Sequence, residues 1–530
     1  MFVREEIQMG MTKEKENKKS KWKLIGGCIL GVQFLLSVMA VAVVMWLNVV
    51  PELYLALGGL ILFWLLTIVY FFFFSGMKKK REKKTGLYIK RTIGCILSVT
   101  VMILCVAGSY MVVKAGNTLE DITDNVVTTD TVSAFVLKSD PAESLNEAKD
   151  YIFAITDKYD YEHTKKAIAE INEKINADIQ TQVYDNVLDM VKALYNGGVD
   201  AMLMNDAYVD VVEAQDGYDT FSERTKILYA HEEETVVTQD ETTTGKDITR
   251  DPFVVYISGS DTRTLKLSTS RSDVNILVIV NPTTKQVLLV NTPRDYYVDT
   301  AASPGAKDKL THCGIYGIDC SMATLGNLYD EHVDYYAQIN FNGFKTLVDA
   351  VGGITVESEK TFRTSEGGFY ISQGVNQLNG TVALSYVRER KAFADGDNSR
   401  GRHQMQAIEA IIKKVSSGTT VLSNYSAIMD SMSGMFTTSM SAQEIAALVK
   451  MQLGDLASWN VKSFAVTGTG GSTTTYSMPS KRSYVMYPDE AQVTYAEMLI
   501  NKVVDGETLT DEDMEMPSAE TIAGQEGIQN

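Results

Sequence analysis

Three apolar runs without a single charge, residues 24–50, 53–74 and 93–113, dominate the start of the chain. Each reaches the roughly 20 residues that a bilayer-spanning helix needs. A cleaved signal peptide does not fit the first run, which is too long and is followed within a few residues by another. The pattern then changes. Short strand-like pieces, AFVL (134–137) and AMLM (201–204), alternate with amphipathic helical stretches at 165–180 and 183–195, which predicts a small α/β domain over 133–231. Polar tracts at 117–132 and 232–249 read as linkers. A second domain, 250–505, is denser in signal. FVVYISG (253–259), NILVIV (275–280) and QVLLV (286–290) read as strands, the last two joined by the turn NPTTK. FNGFKTLVDAVGG (341–353) has helical period, with Phe344, Leu347, Val348 and Val351 on one face and Gly352 as its C-cap. ITVES (354–358) follows as a strand. Interleaved strands and helices predict an α/β/α layered domain with a mixed sheet. Residues 506–530 are acidic and read as a disordered tail.

Charge sharpens this picture. The 530 residues carry a net charge of −18, yet residues 1–117 hold 16 Lys/Arg against 6 Asp/Glu, so the remainder sums to −28. An acidic remainder excludes a general nucleic-acid binder, which needs a basic face for phosphates. The lysines of the 1–23 tail and of the KKKREKK loop (78–84) flank the apolar runs, whereas the turn between the first two runs carries only Glu52. The positive-inside bias then predicts a multi-pass cell-membrane protein with a cytoplasmic N-terminus and everything after about residue 113 extracytoplasmic. Of the five cysteines, Cys313 and Cys320 lie in the outer part, where a disulfide and two free thiols are both open.

Candidate chemistry comes from charges at strand ends. If 275–290 is a hairpin centred near Thr283, paired positions sum to about 566. Asp273 then falls opposite residues 292–293, and Arg271 opposite Arg294 and Asp295. With FVVYISG running parallel to QVLLV, Asp261 and Arg263 join them. In ALSYVRER (383–390), strand alternation would put Tyr386, Arg388 and Arg390 on one face. DGDNSRGRHQ (395–404) precedes a helical stretch and offers Arg400, Arg402 and Gln404 near a helix start, where backbone N–H groups favour anions. Arginine's planar fork grips phosphate bidentately. Aspartates beside several arginines suggest magnesium, which takes one or two carboxylates, waters and phosphate oxygens. Taken singly, each feature has a blander reading. An Arg–Asp pair is commonly a solvated ion pair, His403 reads as structural, and GTGG (468–471) lacks the surroundings of a phosphate loop. Only their joint occurrence points to a pyrophosphate-plus-metal site.

These motifs resemble the LytR–CpsA–Psr family of Gram-positive cell-wall enzymes. The matching pieces are GSDTR, RSDVNILVIVNPTTKQVLLVNTPRD, KLTHCGIYG, VDYYAQINFNGFKTLVDAVGGITV, LNGTVALSYVRER and GDNSRGRHQ, in the family's order. Three spans and an extra domain resemble the capsule-type branch. The resemblance implies a magnesium-dependent phosphotransferase that moves a glycopolymer, capsular or teichoic-acid type, from a polyprenyl-pyrophosphate carrier to peptidoglycan at the outer face of the bilayer. It implies Asp261 and Asp273 as magnesium ligands. Arg271, Arg294, Arg388, Arg390, Arg400, Gln404 and Lys309 would line the pyrophosphate and headgroup site, with Arg263 at a more variable position. Asp273 is also the candidate acceptor of the hydroxyl proton. His403 stands where many members carry arginine or asparagine, a departure that bears on that one contact. Two other classes fit the same site: a lipid-pyrophosphate hydrolase, and a non-enzymatic membrane regulator that binds anionic polymer.

Overall fold

A computed structural model of the chain describes residues 2–74, 84–123, 126–237, 245–260, 270–416, 428 and 435–517. Apolar length dictates the first unit, Met1–Leu119 with Ala442–Asp455. Its long helices are α1 (Phe2–Leu47), α2 (Glu52–Phe74) and α3 (Lys84–Thr123). They contain three segments long and apolar enough to cross a membrane: Trp22–Leu47, Glu52–Phe74 and Gly86–Thr123. Small residues let these helices approach: a Cβ on Gly94 would meet Phe72 at 2.9 Å. Ser98 donates to Gln33 Oε1 at 2.7 Å, a buried polar contact between the first and third helices.

The second unit, Glu120–Ser441 with Leu456–Asn530, holds both outer domains. The smaller is a five-stranded sheet of β1 (Val126–Leu137), β2 (Ile152–Thr156), β3 (Gln180–Tyr184), β4 (Ala201–Asn205) and β5 (Thr225–Val237), in the order β3-β2-β4-β1-β5. Helices α4 (Tyr161–Ile175) and α5 (Val187–Tyr195) pack against it, and α6 (Val209–Glu213) and α7 (Phe221–Arg224) follow β4. The expected linkers are corrected here. Residues 117–123 belong to α3, and 126–132 belong to β1, paired with β5 along its length; β5 itself reaches Val237. Their Thr and Asp content hid a strand because neighbouring strands satisfy the backbone. Within the second tract, residues 238–244 lie outside the described residues.

The larger domain is built on β6 (Phe253–Ser260), β7 (Ser272–Asn281), β8 (Gln286–Asn291), β9 (Tyr335–Asn340), β10 (Phe436–Thr438) and β11 (Asn460–Ala465), in the order β10-β9-β6-β7-β8-β11. The sheet is mixed: β6 pairs parallel with β9 and antiparallel with β7, and β8 pairs parallel with β11. One face packs on α8 (Ile318–Tyr329) and, near the C-terminus, the Glu490–Val504 helix, in a core that includes Leu277, Ile279, Tyr329 and Leu499. A second layer carries α9 (Phe341–Ala350), α10 (Gly380–Val387) and α11 (Asp397–Ser416). This is the predicted α/β/α arrangement.

Three local expectations change. ALSYVRER is not a strand: Asn379 caps α10 by accepting from the Val382 N–H at 3.0 Å, and α10 ends at Val387. The helical stretch after DGDNSRGRHQ starts earlier, at Asp397, so Arg400 and Gln404 lie inside α11. Residues 507–517 are not loose. Leu509 is buried and its N–H donates to Gln286 at 2.7 Å, while 518–530 lie outside the described residues.

Candidate active site

The β7–β8 hairpin brings the first charges together. Its ladder pairs Ile276 with Asn291 and Asn281 with Gln286, so partners sum to 567, one more than expected. Continued past the ladder, that register sets Asp273 opposite Arg294, and Arg294 Nη1 donates to Asp273 Oδ1 at 2.9 Å. β6 and β8 both run antiparallel to β7 and so parallel to each other, as expected. Asp261 and Arg263, just beyond β6, lie outside the described residues.

From α11, Arg400 reaches the same carboxylate. Its Nη2 lies 3.4 Å from Asp273 Oδ2 and donates to the Asp273 carbonyl at 2.5 Å. Burial would raise the Asp273 pKa, but Arg400, then Arg294 and Arg271, overcome it and hold the carboxyl well below the usual range. A carboxylate so held has little affinity for a proton, which argues against its expected role as proton acceptor. Two further acids, which the sequence reading did not single out, complete the cluster. Asp295 takes Lys309 Nζ at 3.1 Å and Arg294 Nε at 3.6 Å. Asp397 lies 3.5 Å from Arg400 and 3.9 Å from Arg294, with its buried Oδ1 lacking a hydrogen bond. Both stand inside the quoted motifs; the hairpin spacing sets Asp295 near Arg271, while nothing in the spacing marks Asp397.

Arg390 differs from the rest. Among the described residues no carboxylate lies within ion-pair distance of its guanidinium, and burial, then the nearby charges of Arg294 and Arg400, push its pKa down. A cation in that position gains by meeting an anion. Arg388 is tied to Glu366 and stands 4.3 Å over the Phe341 ring. Arg388, Arg390, Arg400, Gln404 and Asp273 all line one pocket. Apart from Asn340 and Glu366, the rest of its lining is apolar, with Ile257 and Val274 from the sheet, Ile339 from β9, Phe341 and Phe344 from α9, and Leu384 from α10. Gly259 is needed there, since a Cβ would meet Val274 Cγ2 at 2.5 Å.

The remaining predicted residues divide. Lys309 joins the cluster through Asp295. Arg271 lies at its edge, 3.4 Å from Asp210 of the smaller domain. Arg402 points elsewhere, to Glu359 and Asp395. GTGG lies in an antiparallel strand pair, and Cys313 and Cys320 are free thiols. Among the described residues no three His, Cys, Asp or Glu are grouped to hold a metal. An ionised carboxylate in the lining of a pocket nevertheless suits magnesium, which takes few protein ligands and fills its shell with water and phosphate oxygens.

His403 is structural, as the sequence suggests. It stacks on Tyr386 at 4.1 Å and meets Phe362 and Phe393. Burial, helped by Arg402, lowers its pKa to about 4. Unfolding restores a value near 6.5, so the unfolded chain binds more protons between those values and stability falls as pH drops from about 6.5 towards 4. His403→Phe keeps the stack and is expected to flatten that acid loss, read as melting temperature against pH.

A profile of the LytR_cpsA_psr family matches residues 211–492. A curated relative from Enterococcus faecalis, named polyisoprenyl-teichoic acid–peptidoglycan teichoic acid transferase TagU, is 38% identical over 37% of this chain and 64% of its own length. A relative of the same name from Halalkalibacterium halodurans is 32% identical over 42% of this chain and 71% of its own. The match thus spans a little under two thirds of the first relative. The crystal structure of B. subtilis TagV overlaps 49% of this chain and 99% of its own, at 27% identity and a TM-score of 0.41.

Proposed function

The chain belongs to the LytR_cpsA_psr family, and from that premise we propose that it transfers a glycopolymer from a polyprenyl-diphosphate carrier to peptidoglycan. The observation that carries this reading is one pocket lined both by apolar side chains and by several arginines, of which Arg390 has no ion-pair carboxylate among the described residues. A diphosphate fits the arginines, and the apolar lining from sheet and helices fits the start of a prenyl chain. Asp273, together with Asp261, would hold magnesium, which when bound offsets diphosphate charge. Arg390, Arg400 and Arg294 would steady the charge that grows on the lipid-phosphate leaving group. The product is a phosphodiester between polymer and peptidoglycan. The spans would place the pocket outside the membrane, with the lysine-rich tail and loop inside. The named relatives favour an anionic polymer of teichoic-acid type, and the domain plan favours capsule.

The test uses the full-length protein in lipid nanodiscs with a prenyl-diphosphate oligosaccharide, magnesium and a peptidoglycan fragment. A phosphodiester-linked product that disappears with EDTA supports the proposal. Release of free phosphosugar at the same rate without peptidoglycan would instead identify a hydrolase, and binding without turnover a scaffold. Leu384→Trp narrows the pocket at its apolar lining. Overpacking of this kind costs about 1–3 kcal/mol, so KM for a long-chain carrier is expected to rise roughly tenfold or more, with little change for a short prenyl chain.

A further inference from the structure

The smaller outer domain is wedged against the site, not merely joined to it. Val187, Leu188, Met190, Tyr208 and Val211 of that domain share one buried cluster with Ile315 and Met478 of the larger. Tyr159 Oη donates to the Tyr476 carbonyl at 3.0 Å, and Ser480 Oγ donates to Asn186 Oδ1 at 3.1 Å. These contacts fix the short segment from Tyr208 through α6.

Two polar routes lead from that segment to the cation cluster. The first is buried. Tyr208 Oη lies 3.3 Å from Tyr316 Oη, which lies 2.9 Å from Ser477 Oγ. Ser477 donates to Asp308 Oδ2 through its hydroxyl at 2.5 Å and its N–H at 2.8 Å. The other oxygen of Asp308 holds the Lys309 N–H at 2.7 Å and His312 Nδ1 at 2.6 Å. Asp308 is fully buried, so this chain sets where Lys309 starts and hence where its ammonium meets Asp295. The second route is the Asp210–Arg271 pair. Both end on cations of the headgroup end.

We propose that the smaller domain is a positioning element of the transfer site: Asp210 orients Arg271, and Tyr208 fixes the Lys309 turn through Tyr316, Ser477 and Asp308. This rests on the function proposed above. The physical ground is that a buried hydrogen-bond chain has one satisfied arrangement, and losing a member leaves an unpaired group that the rest must shift to meet. Without this domain, the larger one keeps Arg271 and Lys309 but loses the Asp210 and Tyr208 contacts that help to aim them.

The experiment uses full-length protein in nanodiscs, with melting temperature, farnesyl diphosphate affinity and steady-state transfer measured for each variant. Asp210→Asn is expected to weaken farnesyl diphosphate binding and raise KM about 2- to 5-fold, the scale of a half-exposed ion pair, with recovery in Asp210→Glu. Tyr208→Phe is expected to lower kcat/KM roughly 2- to 10-fold, the scale of one buried hydrogen bond. Ser480→Ala loses an interface contact off both routes and should leave binding and transfer unchanged. Wild-type values in both Asp210→Asn and Tyr208→Phe overturn the inference. So does an equal loss in Ser480→Ala, which would mark a merely structural interface. Tighter binding by Asp210→Asn also overturns it, because Asp210 would then be competing with the diphosphate for Arg271. Should wild-type protein transfer nothing, the proposed function fails, and the farnesyl diphosphate titrations alone decide this inference.

Discussion

Arg390→Ala is expected to cut glycopolymer transfer roughly 10²- to 10³-fold, the usual loss for one preorganised charge-stabilising donor, without lowering the melting temperature. The two halves of this result have one cause. Among the described residues the Arg390 guanidinium has no carboxylate within ion-pair distance, so its removal breaks no pair. Arg294 and Arg400 already crowd it with positive charge, which makes the folded protein pay for holding it there. Such an arrangement is worth keeping only if an anion arrives. Lysine at 390 should recover little, because a point charge does not match the two oxygens that a guanidinium fork spans. Steady-state transfer and thermal melting of the same preparations check both halves, and a variant that melts early but transfers normally would refute the assignment.

Asp273→Ala is expected to destabilise the larger domain by about 3–5 kcal/mol, the scale of a buried ion pair broken from one side, and to abolish transfer. Arg294 and Arg400 would lose the carboxylate they share, keeping only the contacts of 3.5–3.9 Å to Asp295 and Asp397. Asp273→Asn keeps the shape and should lose less stability but as much activity. The pH dependence has a definite sign. The folded pKa of Asp273 lies below the unfolded carboxylate value near 3.9. Its contribution is therefore complete above about that pH and disappears as pH falls through the lower folded value. Melting curves from neutral pH into strong acid should show that loss in wild type and a flatter line in Asp273→Asn.

Legibility of the site tracked the length of chain between partners. Asp273 and Arg294 are joined by a hairpin, so strand alternation and a turn were enough to put them opposite each other, within one position of the observed register. Arg388 and Arg390 were picked for their type, but the strand that was to align them is a helix, because Asn379 caps it and the apolar side of GTVALSYV faces α9 and α11. Arg400 and Arg402 looked equivalent in DGDNSRGRHQ. Helical geometry separates them, sending the first to Asp273 and the second to Glu359 and Asp395. The threonine-rich tract at 117–132 was misread for a similar reason, since polar residues make an acceptable strand once neighbours on either side take its backbone bonds.

By itself the sequence determined the apolar spans, the alternation of strands and helices, and the supply of guanidiniums and carboxylates. Those follow from periodicity and composition, which are properties of short windows. Only the tertiary structure decided which charges are already matched, leaving Arg390 without an ion-pair carboxylate among the described residues and tying Asp210 to Arg271. Whether a charge is spent or available depends on neighbours many residues away in the chain, and on the burial that makes their attraction strong. Local pattern carries no record of either.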